Sequence, residues 1–286
     1  MALPREHLGH SAGRSVATVD PQRARAYAAA TNDANPAYRD GSYAPPVFGV
    51  VPTGDVLFGA VTAAVPPAQL PMLLHAEQDM RFHQPLVPGM TLVTTGASHS
   101  VRVARSGTWL TVRAVSEDGD GEPVLEQFAT MFVRGMTGGE SSGPERPEHD
   151  FVEEARGWPL GRVVRFVDAD QTFRYAAASG DDNRIHVDDA FAQSVKLPGI
   201  IMHGLCTMAM CGAMVIDKVA GGDPARLSRL AVRFSKPAFP GHELAVSLFD
   251  AGDGRGPDGR ATKVVCFEAT NADRVVVKNG LAEVRG

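Results

Sequence analysis

Two long apolar runs dominate the pattern of hydrophobic and polar positions, and segments of alternating apolar and polar residues follow each of them. The runs cover residues 52–65 and 203–219, have the length of helices and carry few charges, so they predict two buried helices. The alternating segments predict strands, at residues 77–82, 90–103, 108–115 and 124–133 after the first run and at residues 228–234, 243–250, 262–269 and 274–284 after the second.

The connections between these strands predict their direction. Residues 116–123 and 251–260 are rich in Gly and Asp, which suits tight hairpins, so the strands that they join are antiparallel. A helix that is apolar on nearly all sides must be covered on all sides, and a curled antiparallel sheet can do this. The pattern therefore predicts an α+β protein in which an antiparallel sheet wraps around a long apolar helix, twice.

The two halves also match each other in sequence. The matching pairs occur in the same order at nearly the same offset, and they are Tyr27 with Tyr175, Asp33 with Asp181, Asn35 with Asn183, Phe82 with Phe234 and Pro88 with Pro240. Residues 135–150 between the halves are rich in Gly, Ser, Pro and Glu, which is typical of a linker. We therefore predict a tandem duplication with units at residues 1–134 and 151–286.

Composition and charge narrow the class of partner. The chain is 44% hydrophobic and 21% charged, with a net charge of −5, so it has no general field for nucleic acid or for an anionic membrane. Three cysteines without a C-x-x-C spacing favour a reducing compartment, and residues 1–15 lack the apolar core of a secretory signal. We expect a cytoplasmic protein, in which the apolar stretch at 199–215 is a buried helix rather than a membrane span.

One loop concentrates the candidate chemistry. Asp181, Asn183 and His186 follow Gly180 within a few positions, in a Gly- and Asx-rich stretch that indicates a loop. A carboxylate and an imidazole that share one water can deprotonate it and return a proton, and an amide can orient either partner.

A second candidate stands at the expected start of the long helix in the second half. Gly204 would offer a free backbone N–H there, where the helix dipole favours negative charge, and its missing Cβ lets a carbonyl oxygen approach. A water-activating pair beside such an oxyanion hole suits the addition of water to a double bond conjugated with a carbonyl, or the reverse reaction.

These residues resemble the hydratase motif of the (R)-specific enoyl-CoA hydratases and MaoC-like dehydratases, G-D-x-N-P-x-H, with a His-Gly pair downstream at residues 203–204. The resemblance implies a double hot-dog fold and the reversible hydration of trans-2-enoyl-CoA to (R)-3-hydroxyacyl-CoA. It implies no metal or redox cofactor, and the substrate carrier is coenzyme A or an acyl carrier protein.

The resemblance also implies residue roles. Asp181 and His186 would activate the water, Asn183 would assist them, and the amide of Gly204 would hold the thioester oxygen. We expect Gly180, His203, Arg184 and Lys236 to contact the substrate. The cations available near the motifs for the CoA phosphates are Lys196, Arg233 and Lys236, although each also suits a solvated surface. Arg184 departs from the family pattern, which has Pro at this position.

The first half keeps Asp33, Asn35 and Pro36 but has Tyr38 where the imidazole would stand, so it lacks the base. The hypothesis is that this half accommodates the acyl chain, in a groove lined by Val47, Phe48 and Leu57.

Alternatives stay open at this point. A thioesterase of the same fold would direct the water at the carbonyl carbon, and a non-catalytic module would bind acyl thioesters without turnover. A metal site would have ligands from His186, Asp188, Asp189 and His203, but their spacing on a segment that enters a helix separates them, so we expect none. A homodimer is the expected assembly.

Overall fold

The structure is a computed structural model that describes residues 11–286; residues 1–10, and with them most of the segment used to exclude a secretory signal, lie outside the described residues. The strands are β1 (Ser11–Thr18), β2 (Leu73–Phe82), β3 (Thr91–Ala104), β4 (Gly107–Glu117), β5 (Pro123–Arg134), β6 (Pro159–Phe166), β7 (Leu227–Phe234), β8 (Glu243–Arg255), β9 (Ala261–Asn271) and β10 (Arg274–Arg285). The α-helices are α1 (Pro21–Ala30), α2 (Pro36–Arg39), α3 (Gly54–Ala64), α4 (Gln171–Ser179), α5 (Asp189–Ser194) and α6 (Gly204–Val219).

The strands form one antiparallel sheet with a mirrored order. Across the described residues it is ten-stranded, in the order β1-β3-β4-β5-β2-β7-β10-β9-β8-β6. The first five positions hold the strands of the first half, and the last five repeat them in reverse. The two halves meet where β2 pairs with β7, from Glu77 opposite Arg233 to Arg81 opposite Arg229. The duplicated sequence therefore folds as two equivalent five-stranded halves of one continuous sheet.

The predicted strands and both long helices are present, whereas β1 and β6 were missed. The prediction that both helices are buried is wrong for α3: it packs through one face, and Phe58 on the other side is 64% exposed. Strands β1 and β6 occupy the edges of the sheet, and β6 is exposed or half-buried along its whole length. Edge strands carry few buried side chains, so hydrophobic alternation is weak in them.

Helix α6 is the centre of the larger hydrophobic core. Its residues from Cys206 to Ile216 are buried, and they pack in one cluster with residues of both halves, such as Val47 and Met80 from the first. Helix α3 of the first half packs in a separate, smaller cluster. Within residues 11–286 no helix has the length and apolarity that crossing a membrane requires.

The predicted linker lies along the sheet in a defined position. Arg146 places its guanidinium 3.0 Å from the buried carboxylate of Glu77 on β2. The Nδ1 atom of His149 lies 2.8 Å from the carbonyl oxygen of Asn279 on β10. Composition predicted a linker, and these contacts attach the segment to strands from both halves.

Candidate active site

The candidate loop begins where α4 ends, and a glycine makes that ending possible. Gly180 caps the helix in the left-handed conformation, with φ of 85°, and its N–H donates to the carbonyl of Ala176 at 2.8 Å. A Cβ on Gly180 would also lie 3.0 Å from the guanidinium of Arg23 in the first half. The chain can therefore turn here and present Asp181 to solvent at the mouth of the site.

The turn that follows is built the same way in both halves. Asn183 caps the 3-10 helix Arg184–His186 by accepting from the N–H of Ile185 at 3.3 Å. Asn35 caps α2 with an equivalent bond of 3.0 Å to the N–H of Ala37. Arg184 thus occupies the first helical position, where the first half has Pro36, and this position makes no use of a backbone N–H.

The side chain of Arg184 binds residues that follow it closely in the sequence. Its guanidinium lies 2.6 Å from a carboxylate oxygen of Asp188 and 4.3 Å from the ring centroid of Phe191. The departure from the family Pro therefore leaves the turn intact.

His186 is held in the tautomer that a general base requires. Its Nδ1 lies 2.8 Å from the carbonyl oxygen of Ile201, and because a carbonyl only accepts, Nδ1 carries the proton and Nε2 keeps its lone pair. Burial lowers the pKa of His186, while the bond to Ile201 and the charge of Asp181 act in the opposite direction. The imidazole is therefore neutral, and able to accept a proton, at neutral pH.

His203 stacks on His186 and ties the loop to α6. The ring centroids are 3.9 Å apart with an interplanar angle of 28°. The Nε2 of His203 donates to the carbonyl of Asp181 at 2.9 Å, and burial together with His186 lowers the pKa of His203 to about 4. This contact ties His203 to the Asp181 segment, so the structure brings His203 together with Asp181 and His186.

Gly204 stands at the first position of α6, where the first N–H groups have no acceptor inside the helix. A Cβ on Gly204 would lie 3.2 Å from the ring of Phe234 on β7. The missing side chain therefore leaves room both for this ring and for an oxygen that approaches the N–H.

The structure also shows which titratable groups could converge on an ion. One ligand atom each from Asp181, His186 and His203 lies within 4.8 Å of the others. An ion about 2.0–2.1 Å from nitrogens of two nearly parallel rings would leave the plane of at least one ring, so this arrangement is poor for a metal. The other suggested ligands have different partners. Asp188 caps α5 by accepting from the N–H of Phe191, and Asp189 accepts from the N–H of Ile200.

The remaining predicted contact residues lie in different places. Lys236 is exposed in the loop after β7, two residues before Ala238, whose carbonyl accepts from the N–H of Met202 ahead of α6. Val47 lines a pocket beside α6 that also includes Asp33. Phe48 is buried edge-to-face on Tyr27. Leu57 packs against the smaller cluster around α3, so the structure does not bring it together with the other two.

The equivalent position in the first half holds a buried tyrosine. Tyr38 is 2% exposed, in the place that corresponds to the imidazole. Burial raises the pKa of Asp33 to about 6. This half therefore keeps the shape of the loop but has a buried tyrosine where the second half has the imidazole of His186.

Sequence reasoning missed His75, which reaches the site from β2 of the first half. Its ring lies edge-on to Phe234, with centroids 5.3 Å apart. Burial lowers the pKa of His75, and the carboxylate of Asp181 is among the groups that raise it. No local motif marks His75, because it is far from the loop in the chain and joins it only through the β2–β7 pairing.

Comparison with known proteins agrees with this geometry. Residues 153–271 match the MaoC like domain, and residues 6–127 match the FAS1-like dehydratase domain region. A relative from Mycobacterium tuberculosis, 3-hydroxyacyl-thioester dehydratase Y, is 32% identical over 205 residues, which cover 68% of this chain and 70% of that protein. The probable enoyl-CoA hydratase 2 of Dictyostelium discoideum is 26% identical over 209 residues, 71% of this chain and 70% of that one.

Solved structures show the same architecture. The MaoC-like dehydratase from Phytophthora capsici superposes with a TM-score of 0.81 at 26% identity, covering 96% of this chain and 95% of that one. A Mycobacterium tuberculosis protein described as a double hot-dog fold superposes with a TM-score of 0.64 at 12% identity, covering 94% and 92%. The predicted double hot-dog fold is confirmed. The chain belongs to the MaoC-like dehydratase family, and it is an enzyme of the hydratase and dehydratase class.

Proposed function

We propose that the protein catalyses the reversible hydration of trans-2-enoyl thioesters to (R)-3-hydroxyacyl thioesters, with coenzyme A or an acyl carrier protein as carrier. The observation that carries the proposal is the meeting of Asp181 with a neutral, Nε2-unprotonated His186 at the start of α6. Relatives named as a 3-hydroxyacyl-thioester dehydratase and a probable enoyl-CoA hydratase support the class of substrate.

In the hydration direction, Nε2 of His186 removes a proton from a water molecule that Asp181 also holds. The water oxygen bonds to C3, and the electron pair of the double bond moves toward the thioester carbonyl. The N–H of Gly204 stabilises the negative charge on that oxygen. The proton now on Nε2 of His186 is then delivered to C2, which restores the neutral imidazole, so one water is added across the double bond and no redox step occurs. We propose that this needs no metal.

The capping bond that Asn183 makes through its side-chain oxygen leaves its side-chain NH₂ for the water. In this proposal Asn183 therefore both shapes the turn and orients the water. We also propose that the catalytic unit is residues 151–286 after a linker at 135–150, and that the unit at 1–134 accommodates the acyl chain.

The experiment is hydration of crotonyl-CoA and of a longer trans-2-enoyl-CoA, followed at the absorbance of the conjugated thioester, with product chirality determined. We expect the wild type to form the (R)-alcohol and Asp181→Asn and His186→Ala to lose about 10²–10⁴-fold in rate. Asp33→Asn, the matched change in the first half, should keep the wild-type rate. Formation of free thiol would identify a thioesterase instead, and binding without turnover would identify a binding module.

The acid limb of the rate profile provides a further check on His186. Because the folded protein lowers its pKa, the base form persists below the ordinary histidine range and is lost only as pH falls through that lowered pKa. Asp181→Asn removes a charge that raises this pKa, so NMR titration of His186 should show a further decrease.

A further inference from the structure

A chain of buried hydrogen bonds leads from His75 into the first half. Nε2 of His75 lies 3.1 Å from Oε1 of Gln78, and Nε2 of Gln78 lies 3.3 Å from Oε1 of Gln127. Gln127 then donates to Oγ1 of Thr53 at 2.8 Å, and Thr53 donates to the carbonyl of Gly49 at 2.8 Å. Gln78, Gln127 and Thr53 are at most 1% exposed. Buried amides are stable only when they are paired, so the fold keeps this chain complete.

The carbonyl of Gly49, the last acceptor, determines which group donates in every hydrogen bond of this series. The carbonyl of Gly49 can only accept, so the single proton of Thr53 is used there and Thr53 accepts from the amide nitrogen of Gln127. This turns the amide oxygen of Gln127 toward Gln78, and the amide oxygen of Gln78 toward His75. His75 must therefore donate from Nε2. In the neutral ring the lone pair then lies on Nδ1.

A β-bulge aims His75 into the interior. Residues three positions apart on a regular strand face opposite sides of the sheet, yet His75 and Gln78 touch each other. His75 pairs with Met131 on β5 and Glu77 pairs with Thr130, which is adjacent to Met131. Ala76 is therefore an extra residue on β2. Bulges of this kind are frequent beside active sites, where they redirect a side chain.

The redirected ring reaches the site of the second half. His75 is half-buried and lies edge-on to Phe234, the ring that would contact a Cβ on Gly204. The backbone of Glu77 also hydrogen-bonds the ring of His75, as an acceptor that raises its pKa. Among the hydrogen bonds formed within residues 11–286, none brings a donor to Nδ1 of His75. Nδ1 is thus an acceptor without a protein donor, next to the expected position of the thioester.

We propose that Nδ1 of His75 accepts a hydrogen bond from the acyl-thioester substrate, so that the first half contributes a substrate-binding residue to the active site of the second. The proposal rests on the proposed function for the identity of the ligand. An acyl-CoA offers two kinds of donor to this nitrogen. One is an amide N–H of the pantetheine arm, and the other is the O–H at C3 of the hydrated acyl group.

Calorimetric titration with CoA, butanoyl-CoA and (R)-3-hydroxybutanoyl-CoA tests the proposal. His75→Phe keeps an aromatic ring against Phe234 and removes both nitrogens, and His83→Phe, just beyond the end of the same strand, is the matched control. We expect His75→Phe to lose about 3- to 10-fold in affinity, the effect of one hydrogen bond. A loss confined to (R)-3-hydroxybutanoyl-CoA identifies the O–H at C3, and an equal loss for all three identifies the pantetheine amide.

Unchanged affinity for all three ligands in His75→Phe would overturn the proposal. If His75→Phe unfolds, His75→Leu takes its place, because it also removes both ring nitrogens, and the same outcomes apply. His75→Gln should keep the wild-type affinity, because an amide can donate to Gln78 and still present an oxygen to the ligand. Thr53→Val tests the chain itself: it preserves the shape of Thr53 but removes the proton that sets the direction, and we expect a smaller loss with the same ligand pattern. Wild-type affinity in Thr53→Val would contradict the tautomer argument.

Turnover of crotonyl-CoA by the same samples separates this proposal from the proposed function. A wild type that binds the three ligands but does not hydrate crotonyl-CoA counts against the proposed reaction, while the His75 comparison still gives its own answer. A wild type that binds none of them overturns both.

Discussion

The hydroxyl oxygens of Tyr27 and Tyr175 lie 3.2 Å apart, and their ring centroids are 5.2 Å apart. These two residues occupy the same position in the two repeats. When residues related by a two-fold axis touch each other, they lie at that axis, as in an isologous dimer interface. Helices α1 and α4 therefore meet at the pseudo-two-fold axis of the molecule, and Tyr175 continues from there to the ring of His203, with centroids 4.7 Å apart.

The losses of stability on removing the two hydroxyls of this pair should not be additive. Tyr175→Phe leaves the buried hydroxyl of Tyr27 without its partner, so we expect the free energy of unfolding to fall by about 1–2 kcal/mol. The double variant with Tyr27→Phe should lose less than the sum of the two single changes, since no unpaired hydroxyl remains. Urea unfolding of all four proteins measures this, and strictly additive losses would contradict it.

Arg23 of the first half binds the end of the helix that precedes the candidate loop. Its Nε donates to the carbonyl of Ala178 at 3.1 Å and its Nη2 to that of Ser179 at 2.8 Å, at the C-terminal end of α4. Arg23→Met removes a cation from a helix C-terminus, so we expect kcat for enoyl-CoA hydration to fall about 3- to 10-fold with KM little changed. Arg25→Met, an exposed neighbour on the same helix, is the control and should keep the wild-type kcat.

The stability of the protein should decrease in mild acid, and His203 should account for part of the decrease. The folded state lowers the pKa of His203 to about 4, whereas the unfolded chain binds this proton near pH 6.5. The unfolded state therefore gains a proton first as pH falls from 6.5 to 4. The stabilisation that His203 contributes above pH 6.5 is lost across this window, by about 1–3 kcal/mol.

Unfolding by urea at pH 7.5 and pH 4.5 measures this loss, and His203→Gln should reduce the difference between the two values. An equal difference in the wild type and in the variant would show that other groups control the pH dependence.

Gly204→Ala should slow the reaction more than it weakens binding. The added Cβ would lie 3.2 Å from the ring of Phe234, so the ring or the start of α6 must shift, and the N–H moves relative to the thioester oxygen. Loss of one oxyanion donor costs about 10²–10³-fold in kcat when it is complete, and we expect about 10- to 100-fold for a displacement. Gly54→Ala is the matched change at the first residue of α3, where a Cβ meets nothing within 4 Å, and should leave kcat unchanged.

Enlarging Val47 should change the preferred acyl chain. Val47 lines the pocket beside α6 together with Ala209 and Ile216, so Val47→Phe would fill it and shift the ratio of kcat/KM values toward shorter trans-2-enoyl-CoA substrates. Leu57→Phe enlarges a residue of the other cluster and should not alter this ratio. A shift with Leu57→Phe and none with Val47→Phe would place the acyl groove beside α3 instead.

Much of the fold followed from local pattern. Helix α6 is buried on nearly all sides and the eight inner strands bury at least one face, so their apolar residues form clear patterns in the sequence. The internal repeat showed that the order of helices and strands occurs twice. Edge strands β1 and β6 were not predictable in this way, because exposure removes the alternation. The linker at residues 135–150 has the composition of a loop, yet Arg146 and His149 attach it to buried partners that are distant in sequence.

In the candidate site too, the sequence predicted the local features and the tertiary structure decided the long-range contacts. Sequence alone determined the loop from Gly180 to His186 and the helix start at Gly204, because capping, turn formation and helix termini depend on residues a few positions apart. Only the tertiary structure decided which nitrogen of His186 is free, since Ile201 sets it from another segment, and that His203 stacks behind it. It also decided that His75 lies against Phe234 beside the candidate site, because that placement depends on a bulge in β2 and on the pairing of β2 with β7. Strand pairing is a long-range choice that no local pattern encodes.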